Sequence, residues 1–405
     1  MKSDSVVYCE LPDGYRKEGR CALLRKALYG LRDSPLMWYN EFSTTLKQLK
    51  LTASKEEPCL FYNEDRTIFL LFYVDDIIQM YRKEQEQEAN ELMKQIGEIY
   101  ELEDRGEVQW FLGVRVIRDR VNRTITLIQD TYIDKIAKRF NLHETGSFPK
   151  TPLPSEELEK YDGEATKREI KDYQERVGSV LYAAITLRPD IAFAASTLSR
   201  FLTNPSRRHL QTANQVIVYL YRTRFEGIQY GSYTLSELSI YGDASFADDT
   251  ETRRLSHGYI ITLFGGAIIW KAARQTTVTT STTEAELLAL EHVAKELMAL
   301  KRLLKELTLQ LNTTWEIFCD NQQTIRLVVG ENERIATRLR HVDIQNMWLR
   351  QEHSKGSFKV SYLPTKEMPA DGLTKYLPAI QFEKFKELIN IQSAASQITA
   401  IEEAE

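Results

Sequence analysis

The stretch Thr67-Ile68-Phe69-Leu70-Leu71-Phe72-Tyr73-Val74-Asp75-Asp76-Ile77-Ile78-Gln79-Met80 places two adjacent aspartates between two apolar runs. The β-branched and aromatic residues on both sides predict two strands folded back on each other, with the acidic pair at the tip. Two enclosed carboxylates repel each other and lose solvation, and a hard divalent cation such as Mg²⁺ would remove that cost. Aspartate also favours turns, and from this stretch alone a simple turn is the stronger interpretation.

Length and composition set the class of protein. The chain has 405 residues, enough for two or three domains, and its 42% hydrophobic and 27% charged content is ordinary for a globular protein. A net charge of −5 excludes a uniformly basic nucleic-acid coat but leaves room for a local basic stripe. Four scattered cysteines predict reduced thiols of an intracellular protein, not a disulfide frame or a zinc site. Without a signal-peptide core or a membrane-length apolar run, the chain is expected not to be secreted and not to enter a membrane.

The first part of the chain alternates predicted helices and hairpins. Residues 26–49 follow a helical period, interrupted at Ser34-Pro35, which suits proline in the first turn of a helix. A charged helix is expected over 84–100, and a second hairpin over 108–117 and 123–129. Three prolines and several glutamates at 147–161 predict a linker.

The region from 173 to 223 is predicted to be mainly helical and contains scattered basic residues. Four of them are singled out as candidate contacts to a nucleic-acid backbone: Arg200, Arg207, Arg208 and Arg222. Clustered arginines on a helical arm suit phosphate groups, but arginines on solvated helix faces give the same pattern. Both interpretations remain open at this point.

A second α/β region starts near residue 238 and carries four carboxylates at the ends of predicted elements. Asp243 ends a strand, Glu286 lies in the first turn of a long helix, Asp320 ends a later strand, and Asp371 opens the final helix. Singly, each is better explained as a helix cap or a member of a capping box. Together, in a βββαβαβα order, they predict a cluster at one sheet edge, as a two-metal phosphodiester hydrolase requires.

Taken in order, these motifs resemble the reverse transcriptase–ribonuclease H region of a copia-type LTR retrotransposon Pol polyprotein. A lone Tyr-Val-Asp-Asp would be a weak signal, whereas the ordered series covers roughly residues 6 to 390. The matching segments are Leu24–Pro35 with Trp38-Tyr39, Tyr73–Asp76, Trp110–Gly113, Val177–Tyr182 with Arg188–Ile191, Gly242–Ser245, Ser281–Glu286, Cys319–Asn321 and Ala370–Lys375.

The resemblance implies roles for individual residues. Asp75 and Asp76 would bind catalytic Mg²⁺, with Mn²⁺ as a substitute. Asp243, Glu286, Asp320 and Asp371 would hold the two ions that cut RNA in an RNA–DNA hybrid. Glu286 is preferred to Glu284 because residues 286–290 resemble the helix start of related ribonucleases H. The implied nucleotide and template site comprises Tyr29, Gly30, Ser34, Pro35 and Tyr73, and the implied primer-contacting residues are Trp110, Phe111, Leu112 and Gly113.

The resemblance also implies a multidomain fold of the α/β and α+β classes. Residues 1–146 would form a partial polymerase palm, an antiparallel sheet with helices that lacks the fingers and the first palm strand. Residues 147–237 would form a linker and a helical thumb or connection, and residues 238–392 a ribonuclease H-like α/β domain with a mixed five-stranded sheet. Residues 393–405 are expected to be a disordered tail.

Two departures from the family's pattern bear on activity. The family's further metal-binding aspartate lies on an earlier palm strand, which here would precede Met1, and Met347 stands where the family usually has histidine. An under-coordinated polymerase centre loses the geometry from which its rate derives. This chain alone is therefore expected to lack polymerase activity and to retain Mg²⁺-dependent hybrid cleavage.

The implied function is that of a nucleotidyltransferase and hydrolase of a retroelement. Its partners would be an RNA template, a DNA primer, deoxynucleoside triphosphates and an RNA–DNA hybrid, with no membrane. The implied location is the cytoplasm, retroelement particles or the nucleus. The alternative is a catalytically dead or repurposed retroelement remnant that only binds nucleic acid, through salt-sensitive phosphate contacts.

Overall fold

The structure is a computed structural model that describes residues 6–28, 30–231, 237–245, 256–274, 282–330 and 340–403. The chain divides into two compact units. The first unit comprises residues 1–108 and 302–309, and the second comprises residues 109–301 and 310–405. In the described part of the chain, no helix combines the length and the apolar character that crossing a membrane requires.

The first unit is built on a four-stranded antiparallel sheet with the strand order β3-β4-β5-β6. Strands β1 and β2 form a separate short pair. Its elements in chain order are β1 (Tyr8–Cys9), β2 (Ala22–Leu23), α1 (Ser34–Gln48), β3 (Thr52–Ala53), β4 (Leu60–Tyr62), β5 (Ile68–Tyr73), β6 (Asp76–Tyr81) and α2 (Glu86–Gly97).

The core of the first unit follows from the alternation of residues along β5. Ile68, Leu70 and Phe72 are buried while the residues between them are half-buried, the period expected of a strand with one covered face. Helices α1 and α2 supply Phe42, Leu46, Leu92 and Ile96 to the same core. The predicted hairpin and both predicted helices are confirmed, although α1 begins only at Ser34, with Pro35 in its first turn.

The second unit contains two five-stranded sheets and most of the helices. Its elements up to the first helical group are β7 (Trp110–Phe111), β8 (Val114–Asp119), β9 (Thr124–Ile128), α3 (Asp130–Arg139), α4 (Lys167–Thr186), α5 (Ala192–Ser199), α6 (Arg207–Arg222) and β10 (Glu226–Tyr230). The later elements are β11 (Leu238–Ser245), β12 (Ser256–Leu263), β13 (Gly266–Arg274), α7 (Thr282–Glu306), β14 (Glu316–Cys319), α8 (Gln322–Val329), α9 (Arg340–Ser354), β15 (Lys359–Tyr362), α10 (Ala379–Leu388), β16 (Ile391–Ser393) and α11 (Ala395–Glu402).

The sheet with the order β13-β12-β11-β14-β15 is mixed. Strands β11, β12 and β13 pair in antiparallel fashion, and β14 pairs in parallel with both β11 and β15. Helix α7 packs on this sheet: a Cβ on Gly242 would meet Val293 of α7 at 3.4 Å. The predicted mixed five-stranded sheet is confirmed.

The other sheet joins strands that lie far apart in the sequence, in the order β16-β10-β9-β8-β7. Strand β10 pairs with β9 on one side and with β16 on the other, and all the pairs are antiparallel. Strands from residues 110–128, 226–230 and 391–393 thus share one sheet, which spans the sequence-predicted domain boundaries at 146/147 and 237/238.

The described end of the chain differs from the expected disordered tail. Strand β16 is followed by α11, and the buried residues Ala394 and Ile398 pack with Ile117 and Ile128. The backbone N–H of Ala394 donates to the carbonyl of Phe225 at 2.8 Å. The overall composition of this segment is small and polar, but Ala394 and Ile398 lie four residues apart on one side of the helix and are buried, whereas Ile401 is exposed.

A buried ion pair lies among the helices of the second unit. The guanidinium of Arg188 donates from Nε and Nη2 to the two carboxylate oxygens of Asp190, at 2.8 and 2.7 Å, and both side chains are fully buried. Arg188 also donates to the carbonyl and hydroxyl oxygens of Thr223, and the Tyr219 hydroxyl donates to Asp190 at 2.9 Å. Burial by itself raises the pKa of Asp190, but the charge of Arg188 and these hydrogen bonds outweigh it and hold that pKa below its usual value.

We expect Arg188→Met to lower the free energy of unfolding by about 3–5 kcal/mol, because it leaves the Asp190 carboxylate buried without its counter-ion. The measurement is urea unfolding followed by far-ultraviolet circular dichroism. Arg208→Ala is the matched control, since it removes an exposed arginine–glutamate pair with Glu156 and should change stability by less than about 1 kcal/mol. A loss for Arg188→Met no larger than the control's would contradict the prediction.

Candidate metal centre

Two parallel strands bring the first two carboxylates of the second unit together. Strand β11 pairs with β14 so that Ile240 lies opposite Ile317 and Tyr241 opposite Phe318. The same register, continued along both strands, brings Asp243 level with Asp320, the residue that follows β14. The carboxyl ends of parallel neighbours lie at the same edge of a sheet, as the sequence predicts for these two residues.

A glycine allows the third carboxylate to approach. Gly258 of β12 lies opposite Asp243, and a Cβ at this position would come within 2.7 Å of Leu373 and 2.9 Å of Thr374. The hydrogen atom of glycine lets the short 3₁₀ helix Pro369–Leu373 pack against the strand. Asp371 lies on this 3₁₀ helix, and the sequence-based expectation that it opens the final α-helix is wrong, because α10 begins only at Ala379.

The four predicted carboxylates converge. Oxygen atoms of Asp243, Asp320 and Asp371 all lie within 4.8 Å of one another. A carboxylate oxygen of Glu286, on the first turns of α7, lies within 4.8 Å of an Asp320 oxygen and of the Cys319 sulfur. The Ala244 backbone amide donates to Glu286. Glu286 is the glutamate found in these groups, whereas Glu284 is buried but belongs to neither of them.

Neighbouring side chains hold the carboxylates in place. The Thr374 hydroxyl donates to Asp243, and the Thr365 hydroxyl donates to Asp320 at 2.8 Å. The ammonium group of Lys375 lies 2.7 Å from Asp371 Oδ1 and 3.6 Å from Asp243 Oδ2. Thr374 and Lys375 belong to the Ala370–Lys375 motif, from which no role is predicted for either residue. Their spacing could have indicated contact with Asp371, because residues three and four positions after it lie beside it in a compact turn.

Burial and crowding of like charges shift the acidity of these groups. Burial raises the pKa of Asp243 to about 7, against the opposing charge of Lys375 and with a further contribution from Asp371. Burial, together with the charges of Asp243 and Asp320, raises the pKa of Glu286 well above its usual value. Burial also raises the pKa of Asp371, although Lys375 opposes this shift. The same surroundings raise the pKa of the Cys319 thiol, first by burial and then by the charge of Glu286.

The donor set fits a hard divalent cation. Carboxylate oxygens are the ligands that Mg²⁺ prefers, and four of them meet at this edge of the sheet. The Oε2 atom of Glu286 is buried and has no hydrogen-bond partner, which is costly unless a cation or water meets it. The arrangement therefore fits Mg²⁺ at Asp243, Glu286, Asp320 and Asp371.

The acidic pair of the first unit lies in a different setting. Strands β5 and β6 meet at a turn in which Asp75 and Asp76 are both exposed. The Trp38 indole donates to the Val74 carbonyl at 2.6 Å, and Val74 has a φ of +54°, which is unusual for a β-branched residue. Within the ranges that the structure describes, neither aspartate joins two further potential ligands at metal-binding spacing. The hairpin turn is confirmed, and the metal-binding role of the pair stays a prediction.

The other predicted polymerase residues in the described part of the chain lie in a turn, at the start of a helix and at the end of a strand. Tyr29 lies outside the described residues. Gly30 has a φ of +94°, the Ser34 hydroxyl donates to the Leu28 carbonyl at 2.7 Å, and Pro35 lies in the first turn of α1. Tyr73 is exposed at the end of β5. These positions are compatible with the predicted nucleotide and template site, which remains untested.

The predicted primer-contacting residues form a small hairpin of the second unit. Trp110 and Phe111 make up β7, and Leu112 and Gly113 turn the chain into β8 with positive φ angles of 51° and 78°. The guanidinium of Arg115 lies 4.7 Å from the centre of the Trp110 ring. Contact with a primer stays a prediction.

The candidate backbone-binding arginines do not form one patch. Arg207 and Arg208 begin α6 and Arg222 ends it, so about 20 Å of helix separates them. Arg208 and Arg200 pair with Glu156 and Glu157. Arg222 donates to the carbonyls of Thr145 and Ser147. Most of these guanidinium groups thus have acceptors within the protein.

Comparison with known proteins identifies the family. A family model described as "Reverse transcriptase (RNA-dependent DNA polymerase)" matches residues 2–154. The retrovirus-related Pol polyprotein from transposon TNT 1-94 of Nicotiana tabacum is 34% identical over 402 residues, which are 96% of this chain and 30% of that polyprotein. The putative transposon Ty5-1 protein of Saccharomyces cerevisiae is 30% identical over 303 residues, which are 73% of this chain and 96% of that protein. The crystal structure of LC11-RNase H1 with an RNA/DNA hybrid aligns with 34% of this chain and 93% of that one, at 16% identity and a TM-score of 0.26.

These relatives place the chain among transposon proteins. Within that class, the chain belongs to the family of copia-type retrotransposon Pol polyproteins, as its sequence motifs predict. It spans about three tenths of the length of the tobacco polyprotein.

The raised pKa of Asp243 leads to a stability prediction. The folded-state pKa of Asp243, about 7, exceeds its ordinary value of 3.8, so protonation of Asp243 stabilises the folded state. This contribution to the free energy of unfolding is complete below pH 3.8 and is lost as the pH rises through 7. With a chelator present, Asp243→Asn should match the wild type at low pH and be more stable by roughly 2–4 kcal/mol at pH 8. Urea unfolding at both pH values measures this difference.

Added Mg²⁺ should then raise the melting temperature of the wild type and leave that of Asp243→Asn nearly unchanged, because a ligand stabilises only the folded state that binds it. Asp162→Asn, at an exposed position, is the control and should behave as the wild type in both experiments. If Asp243→Asn is less stable than the wild type at pH 8 in chelator, the buried charge of Asp243 does not destabilise the folded state.

Proposed function

We propose that this chain is the reverse transcriptase–ribonuclease H region of a copia-type Pol polyprotein, and that its second unit cleaves RNA in RNA–DNA hybrids. The observation that carries the proposal is the convergence of Asp243, Asp320 and Asp371 within 4.8 Å, with Glu286 beside them. Hydrolysis of a phosphodiester needs positive charge next to the leaving and attacking oxygens, and a buried carboxylate cluster is the structure that holds such charge.

Asp243, Glu286, Asp320 and Asp371 are the residues that would hold Mg²⁺. When bound, Mg²⁺ supplies a Lewis acid for the phosphodiester and lowers the pKa of a bound water. The protein's own contribution is positional. Because Thr374 and Thr365 donate to Asp243 and Asp320, these carboxylates keep a fixed orientation, which is what an outer layer of hydrogen bonds provides at metal sites.

Lys375 neutralises part of the cluster's charge. Its ammonium group contacts both Asp371 and Asp243, and burial lowers the pKa of the lysine less than these carboxylates raise it. A cationic side chain next to the acidic groups limits their mutual repulsion and also suits the negatively charged backbone of a nucleic acid.

In this proposal the Tyr73–Asp76 hairpin derives from an RNA-directed DNA polymerase centre. Two exposed aspartates, without a third carboxylate near them in the described part, hold the ion less tightly than a complete site. Asp75 and Asp76 would bind Mg²⁺, and an RNA template, a DNA primer and deoxynucleoside triphosphates would be partners of the whole polyprotein's polymerase.

The remaining assignments follow from the same proposal. Residues 1–146 would supply polymerase palm elements, residues 147–237 the connection, and residues 238–392 the ribonuclease H-like domain, whose mixed sheet carries the acidic cluster. The protein would act within the cell, in the cytoplasm, in retroelement particles or in the nucleus.

Hybrid cleavage is tested with a labelled RNA–DNA hybrid and Mg²⁺. We expect the purified chain to nick the RNA strand, and Asp243→Asn to lower the rate about 100-fold or more, since one charged group of the preorganised site is lost. Asp162→Asn is the control and should keep the wild-type rate. Equal rates for Asp243→Asn and the wild type would place the cleaving site elsewhere, and salt-sensitive hybrid binding without cleavage by the wild type would favour a remnant that only binds nucleic acid.

DNA synthesis is tested by extension of a DNA primer on an RNA template with Mg²⁺ and deoxynucleoside triphosphates. We expect no extension product, because in the described part of the chain Asp75 and Asp76 join no third carboxylate at metal-binding spacing. An extension product that disappears in Asp76→Asn would contradict this part of the proposal and leave the cleavage part untouched.

A further inference from the structure

Cys319 lies beside the acidic cluster although nothing in the proposed cleavage chemistry uses it. It is the last residue of β14 and is fully buried. Its sulfur lies within 4.8 Å of a carboxylate oxygen of Glu286 and of one of Asp320. The sulfur also accepts a hydrogen bond from the Asn321 backbone amide at 3.4 Å, which fixes its position.

One ligand atom in this group lacks any partner. Glu286 is only 6% exposed, and its Oε2 atom is buried without a hydrogen bond. A buried, unpaired carboxylate oxygen is rare because it loses its hydration without compensation. Its position next to a thiol and a second carboxylate indicates that a cation belongs there.

We propose that Glu286, Cys319 and Asp320 form a site for a thiophilic divalent cation of the Zn²⁺ class, which shares two carboxylates with the Mg²⁺ centre. Thiolate is a ligand that selects Zn²⁺ over Mg²⁺, whereas carboxylates accept both. Three protein ligands with a fourth position left open match the ligand number of zinc sites that bind a water or a substrate atom. On binding, the Cys319 S–H bond breaks, a sulfur–metal bond forms, and the proton passes to bulk water.

This site differs from the sequence-based expectation that the cysteines form no zinc site. That expectation rested on the absence of paired cysteines, and one cysteine next to two carboxylates leaves no such spacing in the sequence. Cys9, Cys21 and Cys59 are also free thiols, but in the described part of the chain they join no group of three potential ligands.

The shared carboxylates have a functional consequence, which rests on the proposed hybrid cleavage. A cation held by Glu286, Cys319 and Asp320 occupies ligands that the Mg²⁺ centre needs, so Zn²⁺ acts as an inhibitor that competes with Mg²⁺. The binding of the cation itself does not depend on that proposal.

The binding test uses Co²⁺ as an optical probe of the purified full chain, because Co²⁺ bound by thiolate shows a charge-transfer band in the near ultraviolet. We expect the wild type to show this band, Zn²⁺ to abolish it, and Cys319→Ser to lack it. Cys59→Ser is the matched control, which removes a free thiol of the first unit and should keep the band. Far-ultraviolet circular dichroism confirms that the variants are folded, and Glu286→Gln, which keeps the thiol, should weaken Co²⁺ binding by roughly 10- to 100-fold.

The activity test measures inhibition of hybrid nicking by Zn²⁺ at fixed Mg²⁺. We expect Cys319→Ser to raise the Zn²⁺ concentration for half inhibition by roughly 100-fold, and Cys59→Ser to leave it unchanged. A band that persists in Cys319→Ser, or is absent from the wild type, overturns the site. A band that depends on Cys319 in a chain without nicking activity supports the site and refutes the proposed cleavage, so the two failures are distinguishable.

Discussion

The second unit must hold several negatively charged carboxylates close together in a buried region that little water reaches. Asp243 and Glu286 are buried, and Asp320 and Asp371 lie within 4.8 Å of Asp243. Repulsion at this range in a low-dielectric environment drives such groups apart or keeps them protonated. Here rigid elements oppose it: two parallel strands fix Asp243 and Asp320, the long helix α7 fixes Glu286, and Lys375 supplies one opposing charge.

The Asp75–Asp76 pair and the acidic cluster of the second unit hold their carboxylates in different environments. In the β5–β6 hairpin, Asp75 and Asp76 are exposed, so water screens their repulsion and the turn needs only local support from Trp38. In the second unit, burial makes each carboxylate sensitive to its neighbours, and hydrogen bonds from Thr365 and Thr374 are part of the arrangement. Burial there raises the pKa of Asp243, and a shifted pKa in a carboxylate cluster is typical of sites that do chemistry.

The elements that carry the site could be predicted from the sequence, but its contacts could not. Strands β11 and β14 and the helix start near Glu286 follow from hydrophobic periodicity, although β11 continues past Asp243 to Ser245. The mixed sheet follows from the family resemblance and not from periodicity. The position of Asp371 on a 3₁₀ helix depends on close packing against Gly258, which periodicity does not record. Lys375 and Cys319 acquire partners only through the fold, and the helix at 395–402 is stabilised by burial of Ile398, not by its composition.

The sheet that joins β9, β10 and β16 has a consequence for how the molecule is made. Strand β10, which lies between β9 and β16, has one neighbour synthesised long before it and another synthesised long after it. During translation this sheet therefore stays open on one edge until the ribosome has passed residue 393, and that edge is free to pair with other chains in the meantime. Late closure of this kind makes folding of the second unit slow and dependent on its final strand, since distant strands must meet before the sheet is complete.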